Sequence, residues 1–278
     1  MLLSAMASAA ADSDRPHAIR DIEYARVDGR ALKLDLHLPP SKARSPLIVF
    51  VHGGAWRSGS KTHMPLQELV EAGYAIASVD YRLSTDARFP AQIHDLKAAI
   101  RFLRRPGDEW SVPSEKIVIA GNSAGAHLAA LVGVSNAHPE LEGNVGADHE
   151  RSSGVQGIIS FYGASNLTTI LSQSTPHGLS VRVPALELFL GGQPKEVPAA
   201  ARLASPVFHV DRNDPPLLLL HGDQDLQMPI NQAHELCGAY KKAGLPVRFE
   251  VVHGAAHGGA AFYDAERIAI VKEFLRQF

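Results

Sequence analysis

A serine hydroxyl is a weak nucleophile at neutral pH unless an imidazole removes its proton and a carboxylate orients that imidazole. All three groups stand just after apolar runs in this chain. Ser123 sits in GNSAG (121–125), between the run KIVI (116–119) and the helix-like AHLAALVGV (126–134). A serine in a sharp strand-to-helix turn needs small neighbours, because side chains at 121 and 125 would strike the adjoining strand and helix. Gly121 and Gly125 meet that need. The amide of Ala124, at the start of the helix, is expected to face the place where an oxyanion would form.

The carboxylate and the imidazole are sought downstream. PLLLLHG (216–222) runs into DQDLQMP, which offers Asp223 and Asp225. Asp225 lies farther past the strand end, in the loop before the helix that Pro229 begins, and is the preferred carboxylate; Asp223 is left for turn or capping duty. VRFEVVH (247–253) runs into GAAHGG, which offers His253 and His257. His253 still belongs to the strand end, whereas His257 occupies a glycine-flanked loop that can bring a ring back over the sheet. The expected triad is therefore Ser123, Asp225 and His257. With 14 histidines in the chain, nearness of one to any place means little, and His94 and His127, in helical stretches, read as packing or surface residues. The spacing of His253 and His257 suits two metal ligands on a helix. Gly254 and Gly258 argue against a helix there and no HExxH glutamate is present, so no metal is expected.

The run LIVFV leads into HGGAW (52–56). The tetrahedral intermediate of acyl transfer carries an oxyanion that two or three backbone amides stabilise, and glycines let the main chain come close enough to do it. Gly54 and Ala55 are the expected donors alongside Ala124. His52, at the strand end, is read as a brace for the loop. Trp56 is expected to wall the acyl pocket, with packing as the competing role.

These loops need a scaffold that gathers them on one side of a sheet. LIVFVH (47–52), YAIASVD (74–80), KIVIAG (116–121), GIISFYG (157–163), PLLLLHG and VRFEVVH are short and mostly continuous apolar runs, as strands covered on both faces must be. Helical stretches alternate with them at 64–73, 89–105, 126–134, 229–244 and 264–278. The alternation predicts a doubly wound α/β domain, with a mostly parallel central sheet, helices on both faces and ligands at the carboxyl ends of the strands. Ahead of it, IEYARV (22–27) and LKLDLHL (32–38) alternate around Asp28-Gly29 like an antiparallel hairpin. The interval 164–214 carries scattered Pro, Gly and Ser with one helical piece, PALELFLGG (184–192). It is expected to be a lid-like insertion that selects the substrate.

Length and composition agree with one domain over 19–278. A formal charge of -2 supplies no electrostatic reason to bind nucleic acid, and no apolar run nears the roughly 18 residues that span a bilayer. Cys237 is the only cysteine, which excludes an intramolecular disulfide and leaves a buried thiol as its reading. Residues 1–18 read as a leader or disordered N-terminus. MLLSAMASAAADSD resembles the tail of a secretory signal without its basic start, so a secreted or periplasmic location and a cytoplasmic one both stay open.

Taken together, HGGAWRSGSK (52–61), VDYRL (79–83), GNSAGAHLAAL (121–131), ASPVFHV (204–210), HGDQDLQMP (221–229) and HGAAHGG (253–259) resemble the α/β-hydrolase esterases of the hormone-sensitive-lipase-like and bacterial feruloyl/acetylxylan-esterase-like type. The resemblance extends over nearly the whole chain after residue 45. It implies an α/β-hydrolase fold, the same triad, an oxyanion hole in HGGAW, supporting roles for Asp80, Tyr81 and Arg82, and no cofactor. Ala55 stands where the hormone-sensitive-lipase-like pattern has a third glycine. Only about 20 residues precede the first strand, too few for a helical cap by usual helix lengths. Both departures move the resemblance toward the cap-less feruloyl/acetylxylan-esterase-like group. The expected reaction is hydrolysis of a short-acyl, aryl or carbohydrate-linked carboxylic ester through an acyl-enzyme. Kynurenine formamidases also carry HGGxW, which makes amide hydrolysis the rival reading. A non-catalytic small-molecule receptor on the same scaffold is a third, and its signature would be a damaged triad.

Overall fold

The computed structural model describes residues 15–106, 110, 112–136 and 138–278. Strands β1 (His17–Val27), β2 (Arg30–Leu38), β3 (Arg44–Val51), β4 (Tyr74–Val79), β5 (Ile117–Asn122), β6 (Gly157–Phe161), β7 (Leu217–Gly222) and β8 (Val247–Val252) form one sheet. Its order is β1-β2-β4-β3-β5-β6-β7-β8. The β1–β2 and β2–β4 pairings are antiparallel and all the others parallel. The expected leader falls largely on residues 1–14, outside the described residues, and His17 and Ala18 already belong to β1.

Both faces of the central strands are apolar, as their unbroken runs require. In β3, Leu47, Val49 and Val51 join one core layer while Ile48 and Phe50 join the other. Helices α2 (Ala91–Leu103), α3 (Ala124–Gly133) and α8 (Asn231–Ala243) cover the first layer with Ile93, Leu96, Leu128 and Leu236. Helices α1 (Gln67–Glu71) and α9 (Ala265–Leu275) cover the second with Leu69, Val70, Ile268 and Val271. The short α4 (Pro139–Glu142) lies between α3 and β6 in the chain. Among the described residues, no helix is long and apolar enough to cross a membrane.

The interval 164–214 departs from expectation. It holds three helices, α5 (Ile170–Gln173), α6 (Pro176–Leu190) and α7 (Pro198–Leu203), and a 3₁₀ turn at Pro206–Phe208. Thr175 caps α6 by accepting the Gly178 amide at 3.0 Å, and Gly191 closes it in the left-handed conformation. Pro184, which reads as a helix start, sits in the middle of α6. Ala185, Leu186 and Phe189 are buried in the first core layer, so this segment is part of the packed body.

Candidate active site

Five neighbouring strands of the parallel part deliver their carboxyl ends to one side of the sheet. β5 ends at the serine. Ser123 has φ 53° and ψ −120°, a region that a non-glycine residue occupies only when its surroundings force it. The forcing is local: a Cβ at Gly121 would collide with the carbonyl of Gly125, and one at Gly125 with the carbonyl of Val51. Removing both side chains lets α3 start directly behind the serine. As the first residue of that helix, Ala124 has an amide with no carbonyl one turn back to receive it.

β7 and β8 deliver the partners. His257 Nε2 lies 2.8 Å from Ser123 Oγ, and His257 Nδ1 donates to Asp225 Oδ2 at 2.6 Å. With Nδ1 carrying the proton, Nε2 is left as the acceptor facing the hydroxyl. The Asp225 side chain is fully buried. Its other oxygen accepts the amides of Gln227 at 2.9 Å and Met228 at 2.7 Å. Burial pushes the carboxyl pKa up. Hydrogen bonds from His221 and His257, the electrostatic attraction of the His257 ring and the Met228 amide outweigh it and hold the group well below the usual carboxylate range. The rejected candidates pair with each other at the surface, His253 Nδ1 donating to Asp223 Oδ2 at 2.8 Å on a histidine that is 84% exposed.

β3 delivers the loop HGGAW. Gly54, Ala55 and Trp56 all have positive φ, at 113°, 52° and 60°, which curls the chain so that the Arg57 and Ser58 amides both bond the Gly54 carbonyl. The Gly54 and Ala55 amides donate to no acceptor among the described residues, and both residues border a cavity of about 620 Å³ beside Ser123. The loop is braced throughout. His52 is buried, stacks on Tyr81 at 4.5 Å and bonds the Gly53 carbonyl from Nδ1. Tyr81 donates to the His52 carbonyl, Asp80 accepts the Lys61 amide, and Arg82 forks onto Asp95.

Trp56 requires a correction. Its side chain is fully buried and does not line the cavity. It stacks on Phe189 of α6 at 4.7 Å and donates from Nε1 to His127 Nδ1 at 3.1 Å, while His127 donates from Nε2 to the Ala204 carbonyl. Burial pushes the His127 pKa down to about 4, against the Ala204 hydrogen bond that raises it. The positive φ at 55 and 56 turns the indole away from the site and into the core. A second correction concerns 164–214: none of its residues lines the cavity, and it reaches the site indirectly, through the packing of Phe189 and Ala204 and through Arg182, which donates to the carbonyl of Gln227 at 3.0 Å.

The cavity wall comes instead from loops that motif reading passed over. Arg57, Ser58, Gly59 and His63 follow the HGGAW turn, Asn122 precedes the serine, and Gln227 and Gly258 flank the carboxylate and the histidine. Tyr162, at the end of β6, packs its ring edge-on to His257 at 4.9 Å and shares hydrogen bonds with Tyr263 and Asn122. His221, the strand-end histidine of HGD, bonds the Met228 carbonyl and lies 3.4 Å from Asp225 Oδ2. Its place in the apolar run PLLLLHG was the available signal.

The comparisons with known proteins agree with this architecture. A truncated carbohydrate esterase from gut microbiota superposes with a TM-score of 0.82 at 28% identity, covering 96% of this chain and 98% of that one. Esterase 2 of Thermogutta terrifontis, in a structure phosphonylated by sarin, superposes with a TM-score of 0.77 at 28% identity, covering 92% of this chain and 94% of that one. Esterase LipC of Mycobacterium tuberculosis is 32% identical over 219 residues, 77% of this chain and 53% of LipC. The chain thus spans about half the length of the curated relatives it matches. The BD-FAE family model matches residues 34–240, and with three-quarters of its length so matched, the chain belongs to the BD-FAE family of α/β-hydrolase esterases.

Proposed function

We propose that the protein hydrolyses carboxylic esters through an acyl intermediate on Ser123. The observation that carries this reading is the unbroken relay from Asp225 to His257 to Ser123, with contacts of 2.6 and 2.8 Å. His257 Nε2 takes the hydroxyl proton as Oγ bonds to the ester carbonyl carbon, and the carbonyl oxygen becomes an oxyanion. The unpartnered amides of Gly54, Ala55 and Ala124 are the donors suited to it. Collapse of the intermediate breaks the bond to the alcohol oxygen, to which His257 returns the proton. Water then attacks the acyl-serine by the same route, releasing the acid. Asp225 stays ionised throughout and fixes the Nδ1–H tautomer. No step calls for a metal or an organic cofactor.

Short acyl esters and carbohydrate-linked esters are the substrates to try first. The neighbours support that choice, since one is described as a carbohydrate esterase and the Thermogutta enzyme was obtained with propionate bound. The test is turnover of p-nitrophenyl acetate and butyrate by wild type and Ser123→Ala. A fall of about 10³-fold or more in kcat is expected, and equal rates would refute the reading.

A further inference from the structure

Apart from the triad, the cavity beside Ser123 is bordered by basic side chains and by no acidic one among the described residues. The basic residues are Arg57, His52 and His63; burial pushes the His52 pKa down, which leaves Arg57 as the fixed charge of this wall. Arg57 is half-buried, yet among the described residues its side chain forms no ion pair and donates no hydrogen bond. Two other arginines withdrawn from water have a counter-charge, Arg82 forking onto Asp95 and Arg101 pairing with Glu142, while the buried Arg182 forms no ion pair among the described residues and donates to the Gln227 carbonyl at 3.0 Å. A guanidinium withdrawn from water with no counter-charge is unfavourable, and a bound anion relieves that cost with two parallel charge-assisted hydrogen bonds.

Arg57 is also on a rigid mount. Its amide bonds the Gly54 carbonyl, and the preceding residue is locked between Phe189 and His127 with its carbonyl accepting the Ser84 amide. It follows Gly54 and Ala55 by three and two positions on the same curl. A substrate whose carbonyl oxygen meets those two amides therefore lies beside the guanidinium, with His63 exposed just beyond it.

We propose that Arg57, aided by His63, forms an anion subsite, and that the preferred substrate is an ester carrying a carboxylate close to its scissile bond. The charge has two possible sources, the acid part of a dicarboxylic half-ester or the alcohol part of an ester on an acidic sugar. This inference rests on the esterase reading above and narrows its substrate class.

The experiment compares kcat/KM for matched charged and neutral pairs in wild type and Arg57→Gln. Monoethyl succinate against ethyl succinamate places the charge on the acid side. Monoacetylated methyl glucuronoside against monoacetylated methyl glucoside places it on the alcohol side. In wild type the charged partner of one pair is expected to be preferred, and which pair it is identifies the source. In Arg57→Gln that charged-to-neutral ratio is expected to fall about tenfold or more through KM, with partial recovery in Arg57→Lys. Raising ionic strength from about 0.01 M to about 1 M should shrink the wild-type ratio. A ratio that Arg57→Gln leaves unchanged, or no preference for either charged ester in wild type, overturns the subsite while leaving the esterase intact. No turnover of any ester, with a fluorophosphonate failing to label Ser123 in folded protein, overturns the esterase reading and this inference with it. Circular dichroism and turnover of the neutral esters verify that the variants fold.

Discussion

Asp225 is held as an acceptor from several directions, by the His257 ring, two backbone amides and the neighbouring His221. Exchanging it for asparagine keeps the shape but offers His257 an amide that can present its N–H, which favours the wrong tautomer. Asp225→Asn is therefore expected to lower kcat on a p-nitrophenyl ester by about 10⁴-fold, whereas His253→Ala, at the exposed surface pair, should keep wild-type turnover; a reversed result would move the relay to the Asp223–His253 pair. The three relay residues were legible in the sequence because each follows an apolar run and small or loop-forming neighbours give it room. Trp56 was not. Its direction depends on positive φ at an alanine and at the tryptophan itself, and such conformations are announced by glycine or asparagine when a sequence announces them at all. Tyr162, with φ 45°, escaped notice for the same reason.

At the scale of elements, the loop after β3 and helix α6 are one packed unit. Phe189 stacks on the indole, the Phe89 ring lies 5.4 Å from Phe189, and the Phe89 amide bonds the Phe189 carbonyl. Trp56→Ala empties this contact and leaves His127 Nδ1 without its donor. A loss of about 3–5 kcal/mol in urea unfolding is expected, together with a lower kcat because the Gly54 and Ala55 amides lose their mount. Unaltered turnover in the folded variant would show that the curl holds itself. The strands and the helices that pack on them were readable because doubly covered strands must be apolar on both faces and their helices amphipathic. α6 was obscured for a local reason: Pro184 in mid-helix resembles a helix start, and Gly178 and Ser180 weaken the pattern of the turns before it.

Over the whole molecule, the buried titratable groups give stability a direction with pH. His127 has its pKa lowered from 6.5 to about 4, so below pH 6.5 the unfolded chain binds a proton that the folded chain refuses, and stability falls until about pH 4, by about 3 kcal/mol at most. Asp225, with a depressed value, stabilises fully above 3.8 and loses that contribution as pH falls further. Asp214, raised to about 6 by burial, acts in the opposite sense between 3.8 and 6. Thermal unfolding from about pH 7 to about pH 4.5 should therefore show a steeper loss of Tm in wild type than in His127→Gln, which has no such proton to refuse; parallel slopes would remove His127 from the account. The same histidine touches one of only two tryptophans in the chain, and the other, Trp110, is partly exposed. Blue-shifted intrinsic fluorescence from this protein is consequently light from beneath the curl that carries Gly54 and Ala55, and a change in that emission is a movement of the catalytic floor reported without any attached dye.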